Sequence, residues 1–243
     1  MSTRCVPAFE VTPYHGRGIR IVEAQHRIAT NRLAADAVDQ ALLEALADEV
    51  KPPLPDAARH LPWLLASPFR YGLGRPSRYR AADVRPGIFY ASEDIETAVT
   101  ETAYWRLVAF ARSPGFVRPR TPTPMSAFSV AVDAPRSIDL TQEPQDRWTH
   151  PSDYRETQSL AARARTDEIA AIRAPSARRA GGINLAVLDP AALKPPPRPH
   201  SSWAYLATTD GLLATREMSG QAMRFSPANF GLPPFSPARP DDR

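Results

Sequence analysis

The sequence is poor in cysteine and has no long apolar run. Cys5 is its single cysteine, which excludes an intramolecular disulfide and a cysteine-rich zinc site. The N-terminal residues lack the apolar core of a signal peptide, and no apolar run reaches the length of a membrane span. These absences predict a soluble, cytoplasmic protein with no membrane partner.

Several common catalytic motifs are missing as well. The sequence contains no P-loop, no dinucleotide fingerprint with three spaced glycines and no G-x-S-x-G nucleophile elbow. Its five histidines lie far apart, without the spacing of metal ligands, so no metal site is expected. The commonest nucleotide-binding and hydrolase classes are therefore excluded.

The chain is mildly basic and rich in proline. It has 30 Lys and Arg against 26 Asp and Glu, a net charge of +4, which fits a phosphate-binding protein and fits a soluble surface equally well. Its 27 prolines cluster at 51–55, 113–124, 194–200 and 231–242. Because proline lacks an N–H donor, these segments are predicted to be connectors or ends.

The order of predicted elements indicates one α+β domain. Helical patterns come first, and strands mixed with helices follow, which favours a mixed, mostly antiparallel sheet. The predicted division is a flexible N-terminus over 1–19, one domain over 20–230 with a helical part over 20–66, and a proline-rich tail over 231–243. The helical part comprises a pattern over 20–50 and a short helix capped by Asp56.

The segment "GIFYAS" predicts a strand that leads into a helix ending near Ala111. Glu93, Asp94 and Glu96 suit the positive end of that helix, so they have a structural explanation. Further predictions are strands over 125–133, 136–141 and 182–189, a helix over 154–166, and a hairpin turning at 210–211.

Four scattered pieces carry candidate chemistry. The arginines of "FRYGLGRPSRYR" present planar forks that match phosphate oxygens, although a solvated basic loop would look the same. Glu101 flanks the apolar stripe of its helix, one turn before Trp105, and is either a catalytic carboxylate or the partner of Arg106. Ser176 and Asn184 follow or begin strands, where turn chemistry is the alternative.

Together, the pieces "FRYG", "SRYR", "GIFYASEDIETAVTE", "APSARR" and "NLAVLD", in that order, resemble the RES domain, a bacterial toxin family named for its arginine, glutamate and serine. The resemblance covers roughly residues 20 to 230. It assigns the three name-giving residues to Arg78, Glu101 and Ser176, the first pocket arginine to Arg70, the strand tyrosine to Tyr90 and the late asparagine to Asn184. Tyr79 is a departure, because many members have tryptophan or phenylalanine after the arginine.

The resemblance implies a fold similar to the diphtheria-toxin class of ADP-ribosyltransferases, with added N-terminal helices. It also implies a toxin of a type II toxin–antitoxin pair that uses NAD+ as substrate and cleaves its nicotinamide–ribose bond. Water, phosphate or a target protein would accept the ADP-ribose. The expected partner is an antitoxin with a helix-turn-helix that blocks the active site, and the toxin itself is not expected to bind DNA.

The implied roles follow from an oxocarbenium-like transition state. Glu101 would stabilise the cation, Arg70 and Arg78 would bind the pyrophosphate, and Tyr90 would contact the nicotinamide ring, while Ser176 and Asn184 would orient the nicotinamide riboside. The alternative is a basic nucleic-acid-binding or regulatory module without enzymatic activity, which would use the same arginines on phosphates.

Overall fold

The computed structural model describes residues 9–24, 36, 38–39, 42, 46, 51–71, 74, 76–113 and 117–234. Its core is one sheet with helices packed against it, so the α+β prediction is confirmed. The strands are β1 (Val11–Glu23), β2 (Phe89–Ser92), β3 (Thr123–Asp139), β4 (Ala171–Pro175), β5 (Ile183–Val187), β6 (Leu193–Ala207), β7 (Leu212–Arg216) and β8 (Ala222–Phe225). The described helices are α1 (Trp63–Arg70), α2 (Ile95–Ala111), α3 (Gln145–Trp148) and α4 (Arg155–Thr166).

The sheet closes on itself through its longest strand. The strand order is β1-β2-β5-β4-β3-β6-β7-β8, and β1 also pairs with β3 along its whole length. Strands β1, β2, β5, β4 and β3 therefore form a ring, from which β6, β7 and β8 extend. Only the β3–β4 pair is parallel among the described pairings, so the predicted mixed, mostly antiparallel sheet is confirmed.

The N-terminal prediction needs correction. Residues 11–19, predicted to be flexible, and residues 20–23, predicted to begin a helix, all belong to strand β1. Ile19 and Ile21 are buried, whereas Arg20 and Val22 are only partly buried. This alternation is typical of a strand, and pairing with β3 determines which side chains face the core. Most of the predicted helical pattern between residues 25 and 50 lies outside the described residues, but its described positions 38, 39, 42 and 46 are helical. The predicted tail beyond residue 234 also lies outside the described residues. The division into one domain over 20–230 stays a prediction.

One proline-rich segment predicted to be a connector lies in a strand, and two predicted strands are joined into one across a proline. The predicted strands over 125–133 and 136–141 are one strand, β3, because a bulge opposite Pro13 accommodates Pro135 without breaking the pairing. The segment 194–200 lies within β6, where its side chains are largely exposed and the register with β3 shifts twice. Irregular pairing of this kind tolerates residues that lack an N–H donor.

Three apolar clusters hold the helices onto the sheet. Helix α1 buries Leu65 and Phe69 against β2, β3 and β5. It begins at Trp63 after Pro62, so the predicted cap at Asp56 is wrong, and that residue starts a separate 3₁₀ turn. Helix α2 packs on the β6–β8 extension, and α3 and α4 cover the opposite part of the ring.

The turn at Asp210 and Gly211 joins β6 to β7 as predicted, with Thr208 N–H donating to the Gly211 carbonyl. No helix in the described part of the chain combines the length and the apolar character needed to cross a membrane.

Candidate functional site

A cavity of about 370 Å³ opens where helix α2 crosses the ring of strands. Its walls come from β1, from the turn at 77–79, from β2 and β5, and from the loop that follows β4. The polar and charged side chains that line it are Arg20, Ser77, Arg78, Tyr79, Tyr90, Ser92, Glu101, Thr102, Tyr154, Arg178 and Asn184. Segments that are far apart in sequence thus converge on one enclosure.

Glu101 lies on the cavity wall in the middle of α2 and is half-buried. Its Oε1 accepts hydrogen bonds from Ser176 Oγ at 2.7 Å and from Asn184 Nδ2 at 2.6 Å. No donor among the described residues contacts its Oε2. The carboxylate is therefore fixed in orientation by one oxygen and leaves the other for a ligand.

The two partners of Glu101 are themselves held in place. Ser176 follows the end of β4, and its Oγ accepts from the backbone N–H groups of Arg178 and Arg179, both at 3.1 Å. Ser92 Oγ donates to Asn184 Oδ1 at 2.6 Å, which turns the amide nitrogen toward Glu101. The structure thus brings together the predicted residues Glu101, Ser176 and Asn184.

The competing interpretation of Glu101, an ion pair with Arg106, does not hold. Arg106 Nη2 instead contacts Glu23 Oε2 at 2.8 Å.

The three acids at the start of the helix have the structural roles expected of them. Asp94 caps α2 by accepting a hydrogen bond from Thr97 N–H. Glu93 forms an ion pair with Arg173, and Glu96 forms one with Arg179.

Arg78 and Tyr79 are the central residues of a tight turn. Ser77 and Arg80 exchange backbone hydrogen bonds of 2.8 and 3.2 Å across it. Tyr90 Oη, the predicted strand tyrosine, bonds Ser77 Oγ at 2.8 Å and accepts from Tyr79 N–H at 3.2 Å. The turn therefore presents its side chains from a rigid support, and Tyr90 contributes through its hydroxyl as well as its ring.

Arg78 lines the cavity, as predicted. Its Nη1 donates to the carbonyls of Trp148 and His150, each at 3.0 Å, and its guanidinium lies 4.8 Å from the Tyr154 ring centroid. These partners are neutral, so the positive charge of Arg78 remains available for an anion.

Arg70 does not reach the cavity. It ends helix α1, which packs through Phe69 on another face of the ring, so its predicted place in the pocket finds no support in the geometry. The cavity instead contains Arg20 of strand β1, which sequence reasoning missed. Arg20 Nη1 donates to the Tyr90 carbonyl at 2.7 Å, and burial lowers the pKa of Arg20 to about 10. Its Nε is buried and has no hydrogen-bond partner among the residues that the structure describes.

Arg178 is a third cavity arginine that the sequence did not single out. Its guanidinium lies 3.6 Å from the Tyr104 ring centroid, and its Nη2 donates to the Pro151 carbonyl at 2.7 Å and to Tyr154 Oη at 3.2 Å. The one signal for it was its place two residues after Ser176 in "APSARR".

The cavity carries an excess of positive charge. Arg20, Arg78 and Arg178 line it, and none of them pairs with a carboxylate among the described residues. Glu101 is the single acidic side chain in the described lining. Guanidinium groups in a partly enclosed, apolar cavity attract anions more strongly than they do in water. The arrangement favours a ligand with two negative charges that also has a group to face Glu101.

Trp105 lies one helical turn after Glu101, as the sequence spacing predicts, and it lines the cavity while 46% exposed. Its ring meets Tyr104 edge to face, with centroids 5.1 Å apart. Among the described residues, no group of histidine, cysteine or acidic side chains could hold a metal ion.

Comparison with known proteins identifies the class. The RES domain model matches residues 53–206, and the chain belongs to this family. The matched range contains Arg78, Glu101 and Ser176, whereas Arg20 precedes it. The structure is also similar to a chain in the crystal structure of the M. tuberculosis MbcT–MbcA toxin–antitoxin complex, with 12% identity over 91% of this chain and 90% of that chain and a TM-score of 0.46. A search of curated proteins finds no match.

Proposed function

We propose that this chain is the toxin of a type II toxin–antitoxin pair and cleaves the nicotinamide–ribose bond of NAD+. Membership of the RES domain family supports the toxin role. The observation that carries the chemistry is the cavity itself, which one oriented carboxylate shares with three guanidinium groups that have no carboxylate partner in the described part of the chain. NAD+ fits this charge pattern, because it has a pyrophosphate with two negative charges and a ribose that becomes cationic during cleavage.

In the proposed mechanism, Arg20, Arg78 and Arg178 bind the pyrophosphate through N–H groups that their carbonyl contacts leave unused. Such charge-assisted bonds are stronger than neutral ones. They place the nicotinamide ribose next to the carboxylate of Glu101. Tyr90 contributes the wall on which the nicotinamide ring lies.

The bond breaks when its electron pair leaves with the nicotinamide nitrogen, which turns the cationic ring into a neutral leaving group. No general acid is needed for this step. Positive charge develops on the ribose instead, and Glu101 Oε2 stabilises it electrostatically. Ser176 and Asn184 hold Oε1, so the carboxylate needs no reorganisation as the charge appears. Water, phosphate or a protein side chain then adds to the ribose carbon.

A fold related to the diphtheria-toxin class of ADP-ribosyltransferases belongs to the same proposal. Its support is the crossing of a carboxylate-bearing helix over a closed, mostly antiparallel sheet. The competing function, a nucleic-acid-binding or regulatory module, would need arginines on an open surface and would give Glu101 no role. The three arginines line a cavity with that carboxylate among them, which favours the enzyme.

The test is incubation of the purified chain with NAD+, with and without phosphate, while nicotinamide release is followed. Release in both conditions, with free ADP-ribose as product, indicates hydrolysis. Dependence on phosphate indicates phosphorolysis, and labelling of a protein by ADP-ribose indicates transfer. If no nicotinamide and no labelled protein appear under any of these conditions, the proposal is wrong.

An inhibitory partner is the second part of the proposal, since an NAD+-consuming enzyme harms the cell that makes it. We expect an antitoxin with a helix-turn-helix domain to cover the cavity mouth near Trp105 and the arginines. Addition of the partner should abolish nicotinamide release in proportion to the complex formed. A stable complex that still consumes NAD+ at the free rate would contradict this arrangement.

A further inference from the structure

Tyr79 has a buried hydroxyl that nothing in the described part of the chain satisfies. The residue is 4% exposed, and its Oη has no hydrogen-bond partner, yet its side chain lines the cavity that contains Glu101. A buried hydroxyl without a partner destabilises a fold, and folded proteins rarely leave one unpaired. Either the hydroxyl is an unexplained defect or its partner arrives with a ligand.

The turn that carries Tyr79 is held by hydrogen bonds and by packing. Its backbone N–H is bound by Tyr90 Oη, and Gln158 Nε2 donates to the carbonyl of Ser77 at 2.9 Å within the same turn. The ring packs in the apolar cluster that includes Trp148 and Leu160. Neighbouring groups therefore hold both the backbone and the ring of Tyr79.

The hydroxyl acts as a hydrogen-bond donor at neutral pH. Burial raises the pKa of Tyr79 far above its usual range, while Arg78 opposes the shift and Tyr90 and Glu101 reinforce it. Ala174 and Ala186, two small residues of the adjoining strands, line the same cavity and leave room for a planar ring.

We propose that the Tyr79 hydroxyl binds the carboxamide oxygen of the nicotinamide ring and thereby selects the substrate's leaving group. The inference rests on the proposed function for the identity of the ligand. The pyrophosphate is taken by the guanidinium groups and the ribose by Glu101. The carboxamide is the polar group of NAD+ that remains on the Glu101 side of the molecule, and its oxygen is an acceptor.

The experiment is Tyr79→Phe, which removes only the hydroxyl. Wild type and variant are compared on NAD+ and on an analogue whose pyridine ring lacks the carboxamide, with formation of the ADP-ribose product as readout. One lost neutral hydrogen bond should lower kcat/KM on NAD+ by about 2- to 10-fold and leave kcat/KM on the analogue unchanged. The melting temperature of the ligand-free variant should not fall, because an unpaired buried polar group has been removed.

Tyr205→Phe is the matched control. Tyr205 is a buried tyrosine outside the cavity, and its Oη makes one long contact of 3.4 Å to the Val99 carbonyl. This variant should keep the wild-type kcat/KM on both substrates.

Three results would overturn the inference. They are equal kcat/KM of Tyr79→Phe and wild type on NAD+, an equal loss on NAD+ and the analogue, and a lower melting temperature with unchanged activity. If the wild type releases no nicotinamide at all, the proposed function fails, and calorimetric titration with nicotinamide decides the Tyr79 question separately. Weaker nicotinamide binding by Tyr79→Phe would support the contact, and identical binding would refute it.

Discussion

Glu101→Gln tests the role of the cavity carboxylate most directly. Glutamine keeps the size of the side chain, and its carbonyl oxygen can accept the same two bonds from Ser176 Oγ and Asn184 Nδ2. The amide NH₂ then occupies the position of Oε2, so the substitution removes the negative charge from the free oxygen and leaves the surrounding contacts in place.

The expected losses differ greatly between stability and turnover. Two charge-assisted bonds become neutral, which costs at most about 1 kcal/mol each. That corresponds to a decrease in melting temperature of no more than about 8 °C. A carboxylate about 4 Å from a cation contributes about 4 kcal/mol at the effective dielectric constant of a protein surface. Turnover per folded molecule should therefore fall about 100- to 1000-fold, with little change in NAD+ affinity.

The assay measures nicotinamide release at saturating NAD+, together with the melting temperature and NAD+ binding. Glu23→Gln is the matched control, because it removes a carboxylate that pairs with Arg106 at a 63% exposed position outside the cavity. It should change stability by less than about 1 kcal/mol and leave turnover unchanged. A Glu101→Gln protein that melts earlier but turns over normally would show that the carboxylate is structural and would refute the mechanism.

Further predictions concern the arginines and the acid stability of the fold. Arg20→Ala and Arg78→Ala should each raise KM for NAD+ roughly 10- to 100-fold, because each loses a charge-assisted contact. Arg70→Ala should leave KM unchanged. The reverse pattern in steady-state kinetics would show that Arg70, and not the other two arginines, binds the substrate. Burial opposes ionisation of Asp139, but hydrogen bonds from Thr141 and Arg173 outweigh this effect and lower the pKa of Asp139. The ionised carboxylate therefore stabilises the fold at pH values above the usual aspartate pKa. This stabilisation is lost as the pH falls through the lowered pKa. Melting temperatures measured below about pH 4 should thus fall less steeply in Asp139→Asn than in wild type, and equal slopes would contradict this linkage.

The predicted site residues that the structure brings together lie next to strong local signals. Glu101 lies on a helix with a clear cap, Ser176 follows β4 and Asn184 lies in β5, and the resemblance of their order to the RES domain is what grouped them. Arg78 lines the cavity, whereas Arg70 of the same arginine cluster does not. Proximity in sequence does not reveal which side of the sheet a helix end faces.

The missed parts depend on long-range pairing. Residues 11–19 of strand β1 were predicted to be flexible and residues 20–23 to be helical, and only their partners in β3, more than a hundred positions later, make them a strand. Arg20 could therefore not be placed in the site from local periodicity. The prolines of β6 misled for a related reason, since an exposed and irregular pairing tolerates residues that a central strand would exclude.

The cavity joins residues from distant parts of the chain, so it can be completed only late in the synthesis of the protein. Arg20 emerges early from the ribosome, whereas Asn184, which orients Glu101, is added 164 residues later. At typical translation speeds this interval lasts roughly 10 to 30 seconds. An incomplete chain lacks one wall of the cavity throughout that time, so the NAD+ cleavage proposed above could begin only when synthesis of the chain is nearly complete.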